Sequence, residues 1–368
     1  MQQFNYSMSF RKSLSFLLPV LAIFLGACSG IQQPDDASGN PNITKPSLLR
    51  LKSPLANTAL SGRVVHIEAI ADSSVNKPDS LVLFAENERI EAVSGGYLLC
   101  DHTIKSPRAG RLHLSVRAYK SGQLIDAVQT SVIVLAEKAP EEIAFTVVRT
   151  YPHDSLAYTQ GLYYEKGWVY ESTGQYHRSS LRKVKLATGE IDQSLNLSGE
   201  TFGEGLAVFD NKILQITWKS KTGYIYEKES FREIRKVSYQ TEGWGICYND
   251  GTFYMSDGSE ILYLMDRENF AEIGRLEVYD NKGAVKQLNE LEYINGEIFA
   301  NVYGEKYIVV IDPASGFVTG KLNLSRLIPS AYEGNLDKAL NGIAWIPENG
   351  HLLVTGKDWP LMYELAIK

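Results

Sequence analysis

Five residues of different chemistry stand at one repeated place in this chain: Gln160, Glu204, Trp244, Asn289 and Asn341 each lie two residues before a leucine or isoleucine, at 162, 206, 246, 291 and 343. A single carboxylate can take a proton from a reacting centre and return it. Amide and indole donors beside it can stabilise charge that develops there. Brought to a common point, the set would make an acid–base site. The same five would equally serve as caps over a water-filled channel, and the repeat by itself does not separate the two. Other chemistries lack their carriers: the sequence holds no HExxH, CxxC or EF-hand loop for a metal, no GxSxG elbow for a serine nucleophile and no phosphate-binding loop.

The elements that must position these residues repeat with them. The Leu/Ile anchors recur every 40 to 52 residues, the range of propeller blades, and a small polar residue follows each by 10 to 12 positions: Ser172, Thr217, Ser256, Asn301 and Thr355. A third strand is predicted over 181–186, 223–227, 261–266 and 307–312. Turns such as Thr188-Gly189 and Asp312-Pro313-Ala314-Ser315-Gly316 then lead into a fourth. The expectation is an all-β chain whose residues 141–368 form a five-bladed β-propeller. Its last unit shows only three strands, so the strand over 145–151 is expected to close the ring as the fourth strand of the fifth blade, leaving no exposed edge.

Residues 48–138 read differently, as short alternating strands over 63–70, 81–84, 111–119 and 128–135. In the third of these Leu112, Leu114, Val116 and Ala118 put an apolar side chain at every second position. An Ig-like β-sandwich is expected there, joined to the propeller by the polar, proline-containing stretch 137–142. His66, His102 and His113 have no metal-ligand spacing and read as surface residues. Cys100 and Cys247 fall in different predicted domains and read as buried thiols, not a disulfide. A net charge of −6 and a pI near 5.7 argue against a nucleic-acid partner.

The N-terminus carries Arg11-Lys12, an apolar run over 14–25 and the box Leu25-Gly26-Ala27-Cys28. The run is too short to span a bilayer, which takes about 20 apolar residues, and fits a signal peptide over 1–27. The box resembles a bacterial lipoprotein signal. That resemblance implies cleavage before Cys28, lipid on its thiol, and a place in the cell envelope held at a membrane; Ser29 goes with the outer membrane. Residues 28–47, poor in apolar side chains, are expected to form a disordered tether.

Seven motifs in order, Thr159-Gln160-Gly161-Leu162, Glu171-Ser172-Thr173-Gly174, Phe202-Gly203-Glu204-Gly205-Leu206, Glu242-Gly243-Trp244-Gly245, Asn289-Glu290-Leu291-Glu292-Tyr293-Ile294-Asn295-Gly296, Leu340-Asn341-Gly342-Ile343-Ala344-Trp345 and Thr355-Gly356-Lys357-Asp358-Trp359-Pro360, closely resemble the plant and bacterial glutaminyl cyclases. The resemblance covers the repeat domain and none of residues 1–140. It implies an acyltransferase that converts the N-terminal glutamine of peptides or proteins to pyroglutamate and releases ammonia. It also implies Glu204 as acid and base, with Lys357 and Asn289 sharing the catalytic electrostatics. Gln160, Trp218, Trp244, Tyr303 and Asn341 would bind the substrate. Tyr303 departs from the tryptophan usual after the motif Ala300-Asn301-Val302, and Tyr158 stands where phenylalanine is common. No cofactor is required by such chemistry, and the resemblance allows a structural calcium ion in the channel for which no local motif supplies ligands. Two other readings stay open on the residues alone: a non-catalytic propeller that binds peptide or glycan, and a glycosidase using Glu204 and Glu290 as its two carboxylates.

Overall fold

The computed structural model describes residues 47–72, 77–105 and 107–368. The signal segment, Cys28 and all but the last residue of the tether lie outside the described residues.

In Val64–Ala71 the buried side chains alternate with wetter ones, as a strand with one solvated face requires. Leu49–Ser53, Val64–Ala71 and Tyr97–Thr103 form a three-stranded sheet. Thr58–Ser61, Gln123–Leu135, Gly110–Lys120, Ser80–Ala85 and Glu88–Ser94, in that order, form a five-stranded one. Ile67 and Ala69 of the first meet Leu81, Leu83 and Val116 of the second in a common core. The sequence pattern misses Leu49–Ser53, Thr58–Ser61, Glu88–Ser94 and Tyr97–Thr103. Each sits at an edge of its sheet, where half-exposed polar residues blur the alternation.

Further along, the strands come in antiparallel sets of four. Sheet I is Thr159–Glu165, Trp168–Thr173, Ser180–Lys185 and Glu190–Asn196. Sheet II is Gly203–Phe209, Lys212–Thr217, Thr222–Glu227 and Glu233–Ser238. Sheet III is Ile246–Asn249, Thr252–Ser256, Ile261–Asp266 and Glu272–Glu277. Sheet IV is Leu288–Ile294, Glu297–Val302, Tyr307–Ile311 and Val318–Asn323, with the short Glu141–Glu142 added along its outer edge. Sheet V is Leu340–Ile346, His351–Gly356 and Leu361–Ile367, completed by Phe145–Pro152, which runs antiparallel to Leu361–Ile367. The first strands of the five sheets touch one another in cyclic order, with sheet V returning to sheet I.

That contact is backbone against backbone, which is why a glycine follows the site position. A Cβ on Gly205 would lie 2.8 Å from Gly245 Cα, and one on Gly245 would lie 1.9 Å from Asn289 O. Sheet IV has Glu290 in place of that glycine. Its carboxylate crosses to accept from Leu162 N of sheet I (3.2 Å) and Ile343 N of sheet V (2.9 Å). The small polar residue of each unit is fully buried, and in three units it staples its sheet to the next. Ser172 Oγ donates to Glu204 O, Ser256 Oγ donates to Asn289 O (2.7 Å), and Asn301 Oδ1 accepts from Gly342 N (2.9 Å). Thr217 and Thr355 bond within their own sheets instead.

The N-terminal sheets rest on sheets III and IV and the turns beside them. Ala109 N donates to Ser315 O (2.7 Å) and Arg111 N to Glu277 Oε2 (3.1 Å), and Ala109, Leu135 and Tyr279 share a small apolar cluster. Cys247 is buried, Cys100 is half-buried, and both are free thiols.

Candidate active site

The first strand of sheets I, II, IV and V pairs with its neighbour through a register slip, and each slip spans a site residue. The irregularities fall between Thr159 and Gly161, Gly203 and Leu206, Leu288 and Leu291, and Leu340 and Ile343. A bulge re-aims the side chain it carries. It thereby turns Gln160, Glu204, Asn289 and Asn341 out of the regular alternation. In sheet III the strand begins only at Ile246, so Trp244 precedes it.

A second set of side chains enters from the end of the second strand of sheets II, IV and V: Trp218, Tyr303 and Lys357 follow the buried polar residue by one or two positions. Their backbone N–H groups are pinned to the carbonyls of Phe202 (3.0 Å), Gln287 (2.8 Å) and Ala339 (2.9 Å), each two residues before a site position. Two places in one repeat therefore supply the whole set.

Gln160, Glu204, Trp218, Trp244, Asn289, Tyr303 and Lys357 line one cavity of about 280 Å³. Asn341 is not in its wall. It stands behind, donating through Nδ2 to Thr159 O (2.9 Å) and to Gln160 Oε1 (3.0 Å). With its carbonyl so engaged, Gln160 acts on Glu204 through the rest of its amide and favours the ionised carboxylate. Glu290 also stays outside the cavity, its carboxylate spent on the two backbone N–H groups across the channel. A larger cavity of about 480 Å³ lies between the N-terminal sheets and sheet IV, beside Arg63, Glu137 and Phe317, away from all of these groups.

Burial pushes the Glu204 carboxyl well above the usual carboxylate range; the Lys357 ammonium draws it back, and the Glu242 carboxylate adds to the rise. Burial likewise draws Lys357 down to about 8, against the pull of Glu204, Asp337 and Asp358. The ammonium sits over two aromatic faces, 4.7 Å from the ring centre of Tyr158 and 4.8 Å from that of Tyr303. Tyrosine at 303 thus keeps the aromatic wall, meeting Trp244 edge to face at 5.8 Å. The arrangement is a buried carboxyl of raised proton affinity beside a cation and amide groups, lined by aromatic rings.

Residues 119–367 match the glutamine cyclotransferase family. This chain belongs to that family. It is 37% identical over 228 residues to a glutaminyl-peptide cyclotransferase of Arabidopsis thaliana, covering 60% of this chain and 71% of the relative. The crystal structure of Myxococcus xanthus glutaminyl cyclase matches it with a TM-score of 0.58 at 34% identity, over 62% of this chain and 98% of the other. The family match begins at 119, inside the strand Gly110–Lys120, so it reaches further toward the N-terminus than the seven motifs do.

The rings of Tyr158 and Phe202 also line the cavity, and two charged groups of the candidate site escape sequence reasoning. Asp337 lines the cavity from the connection between Val318–Asn323 and Leu340–Ile346. Its signal was the longest anchor interval, 291 to 343, which leaves room for an added segment over the site. Glu242 lies in the motif Glu242-Gly243-Trp244-Gly245, yet nothing in its spacing says where its carboxylate goes. As for calcium, which takes six to eight oxygen ligands, no group of three or more His, Cys, Asp or Glu side chains is gathered for a metal among the described residues. In the channel each Glu290 oxygen accepts one backbone N–H.

Proposed function

We propose that this chain is a glutaminyl-peptide cyclotransferase that closes the N-terminal glutamine of peptides or proteins to pyroglutamate by acid–base chemistry that needs no metal. We read its five sheets as the blades of a five-bladed propeller over 141–368, and its N-terminal sheets as an Ig-like sandwich over 48–138. The observation that carries the functional reading is Glu204, buried with a raised proton affinity beside Lys357 and the Gln160 amide in one enclosed cavity.

The reaction needs a neutral α-amine to attack the γ-carboxamide carbon, yet a free N-terminus titrates at about 7.7–8.0 and arrives mostly protonated. Glu204 takes a proton from the attacking nitrogen and gives one to the nitrogen that leaves as ammonia, while the attacking ammonium's other proton passes to solvent; burial, which raises its proton affinity, suits it to hold a proton between the two transfers. Lys357 and Asn289 face the oxygen of the carboxamide as it gains charge. The indoles of Trp218 and Trp244 enclose the glutamine side chain. Incubating the purified protein with a Gln-initiated peptide should release ammonia, undiminished by chelators. Absence of ammonia from every such peptide would sink the reading, and loss of activity on chelation would sink its metal-free part.

Lys357→Ala should lower kcat on the order of a hundredfold to a thousandfold, as removal of one oxyanion donor does. Because the ammonium is the useful form and burial brings it down to about 8, kcat should fall as pH rises through that value and the fall should vanish in the variant. An alkaline limb that survives Lys357→Ala belongs to another group.

We propose in addition a lipid anchor at Cys28, on the strength of the Leu25-Gly26-Ala27-Cys28 box. Cys28→Ala should move the protein from the membrane to the soluble fraction. Unchanged sedimentation would remove the anchor.

A further inference from the structure

Behind the two indoles that wall the cavity stands a carboxylate that does not itself line it. A single oxygen of Glu242, Oε2, accepts from Trp218 Nε1 at 2.7 Å and from Trp244 Nε1 at 3.0 Å. The two tryptophans come from different sheets: Trp218 follows Lys212–Thr217 of sheet II, and Trp244 precedes Ile246–Asn249 of sheet III. Each is also held by its ring. Trp218 meets Phe202 edge to face at 5.4 Å, and Trp244 meets Tyr303 at 5.8 Å. An indole has one hydrogen-bond donor, and both donors converge on one oxygen, so the spacing between the two walls is set by a single atom.

We propose that Glu242 is a positioning residue for the cyclisation: by gripping both indole N–H groups it fixes the width of the slot that holds the glutamine side chain. The proposal rests on the cyclotransferase reading. The charge of Glu242 also acts on Glu204, adding to the rise in its proton affinity. The other groups that face Glu204 are the Lys357 ammonium, the Gln160 amide and the phenols of Tyr158, Tyr239 and Tyr303, with Asp337 acting on Lys357. Of these, Glu242 is the one that raises Glu204 by negative charge.

Two substitutions separate grip from charge. Glu242→Gln keeps a carbonyl oxygen that can accept from both indoles but removes the charge. Glu242→Ala removes both. With a Gln-initiated peptide, Glu242→Ala should raise KM by about tenfold to a hundredfold, the loss of two charge-assisted hydrogen bonds at a binding wall. Glu242→Gln should hold KM within about threefold, because an acceptor for both indoles is retained. Acrylamide quenching of tryptophan emission in the free enzyme should increase in Glu242→Ala and return toward wild type in Glu242→Gln, a readout that needs no turnover. A Glu242→Ala enzyme with wild-type KM and quenching would overturn the positioning role. Should the alanine variant not fold, the glutamine variant decides alone: a KM raised tenfold despite a retained acceptor would refute the grip. Wild type that releases no ammonia would instead sink the reading beneath it, whatever the quenching showed.

Discussion

Glu204→Gln is expected to lower kcat by about a hundredfold to ten-thousandfold, the range that a general acid–base group supplies. The nucleophile and the electrophile sit in one glutamine residue, so the enzyme gains nothing by bringing two molecules together. Its contribution must come from freezing the reactive rotamer, moving protons and stabilising charge. Glu204 alone can move the protons, since Glu290 lies outside the cavity and Asp337 is exposed at its rim. The substitution also acts on its neighbour. Glu204 helps hold the proton on Lys357, so without that carboxylate the ammonium should lose its proton below about 8, and the alkaline limb should shift down with it. Folding should survive, because burial opposes the charge that is removed. Steady-state ammonia release across pH, with a thermal melt as control, measures all three. A kcat within threefold of wild type, roughly 0.6 kcal/mol, would make the carboxylate a cap on the channel and the site assignment wrong.

The second large effect is on stability. His153 follows the closing strand Phe145–Pro152 and is buried against both ends of the ring. Its Nδ1 donates to Trp359 O of sheet V (2.6 Å), and its Nε2 meets Glu171 Oε1 of sheet I (3.0 Å), which also accepts from Thr159 Oγ1 (2.7 Å). With an acceptor at each ring nitrogen, the imidazolium is the form that fits. His153→Leu leaves Glu171 buried without its cation and should cost about 3–5 kcal/mol, as breaking one partner out of a buried pair does.

The pH dependence follows from the two directions. Burial disfavours the His153 imidazolium, but Glu171 more than compensates and its proton affinity is raised above the usual 6.5. Its contribution is therefore full below about 6.5 and is lost as pH rises through the raised value. Burial disfavours the Glu171 carboxylate, but His153 outweighs it and the group is lowered from the usual 4.5. Its contribution is present above about 4.3 and is lost as pH falls through the lowered value. Urea unfolding should show the widest gap between wild type and His153→Leu from about pH 4.5 to 6.5, narrowing on either side. A gap below about 1 kcal/mol throughout would mean that the pair contributes no more than a surface ion pair does.

The sequence by itself determined the recurrence of four-strand units, the residue each presents two before its anchor, the strand near 145 that completes the last sheet, and the resemblance that names the chemistry. All of these are local patterns repeated along the chain: a glycine where two backbones must touch, a small buried polar residue at a near-constant distance, side chains alternating with the pleat. What only the tertiary structure decided are contacts between residues that no period relates. Asn341 looks like its four counterparts in the repeat, yet it holds Gln160 from behind, 181 residues away. Glu290 breaks the glycine pattern, and only the geometry of the ring reveals the two N–H groups it bridges. Asp337 reaches the cavity from an insertion outside the repeat, and His153 finds Trp359 across 206 residues. The physical reason is common to them: a backbone pattern is written wherever the backbone repeats it, whereas the partner of a buried polar side chain is whichever group the closed ring brings within about 3 Å.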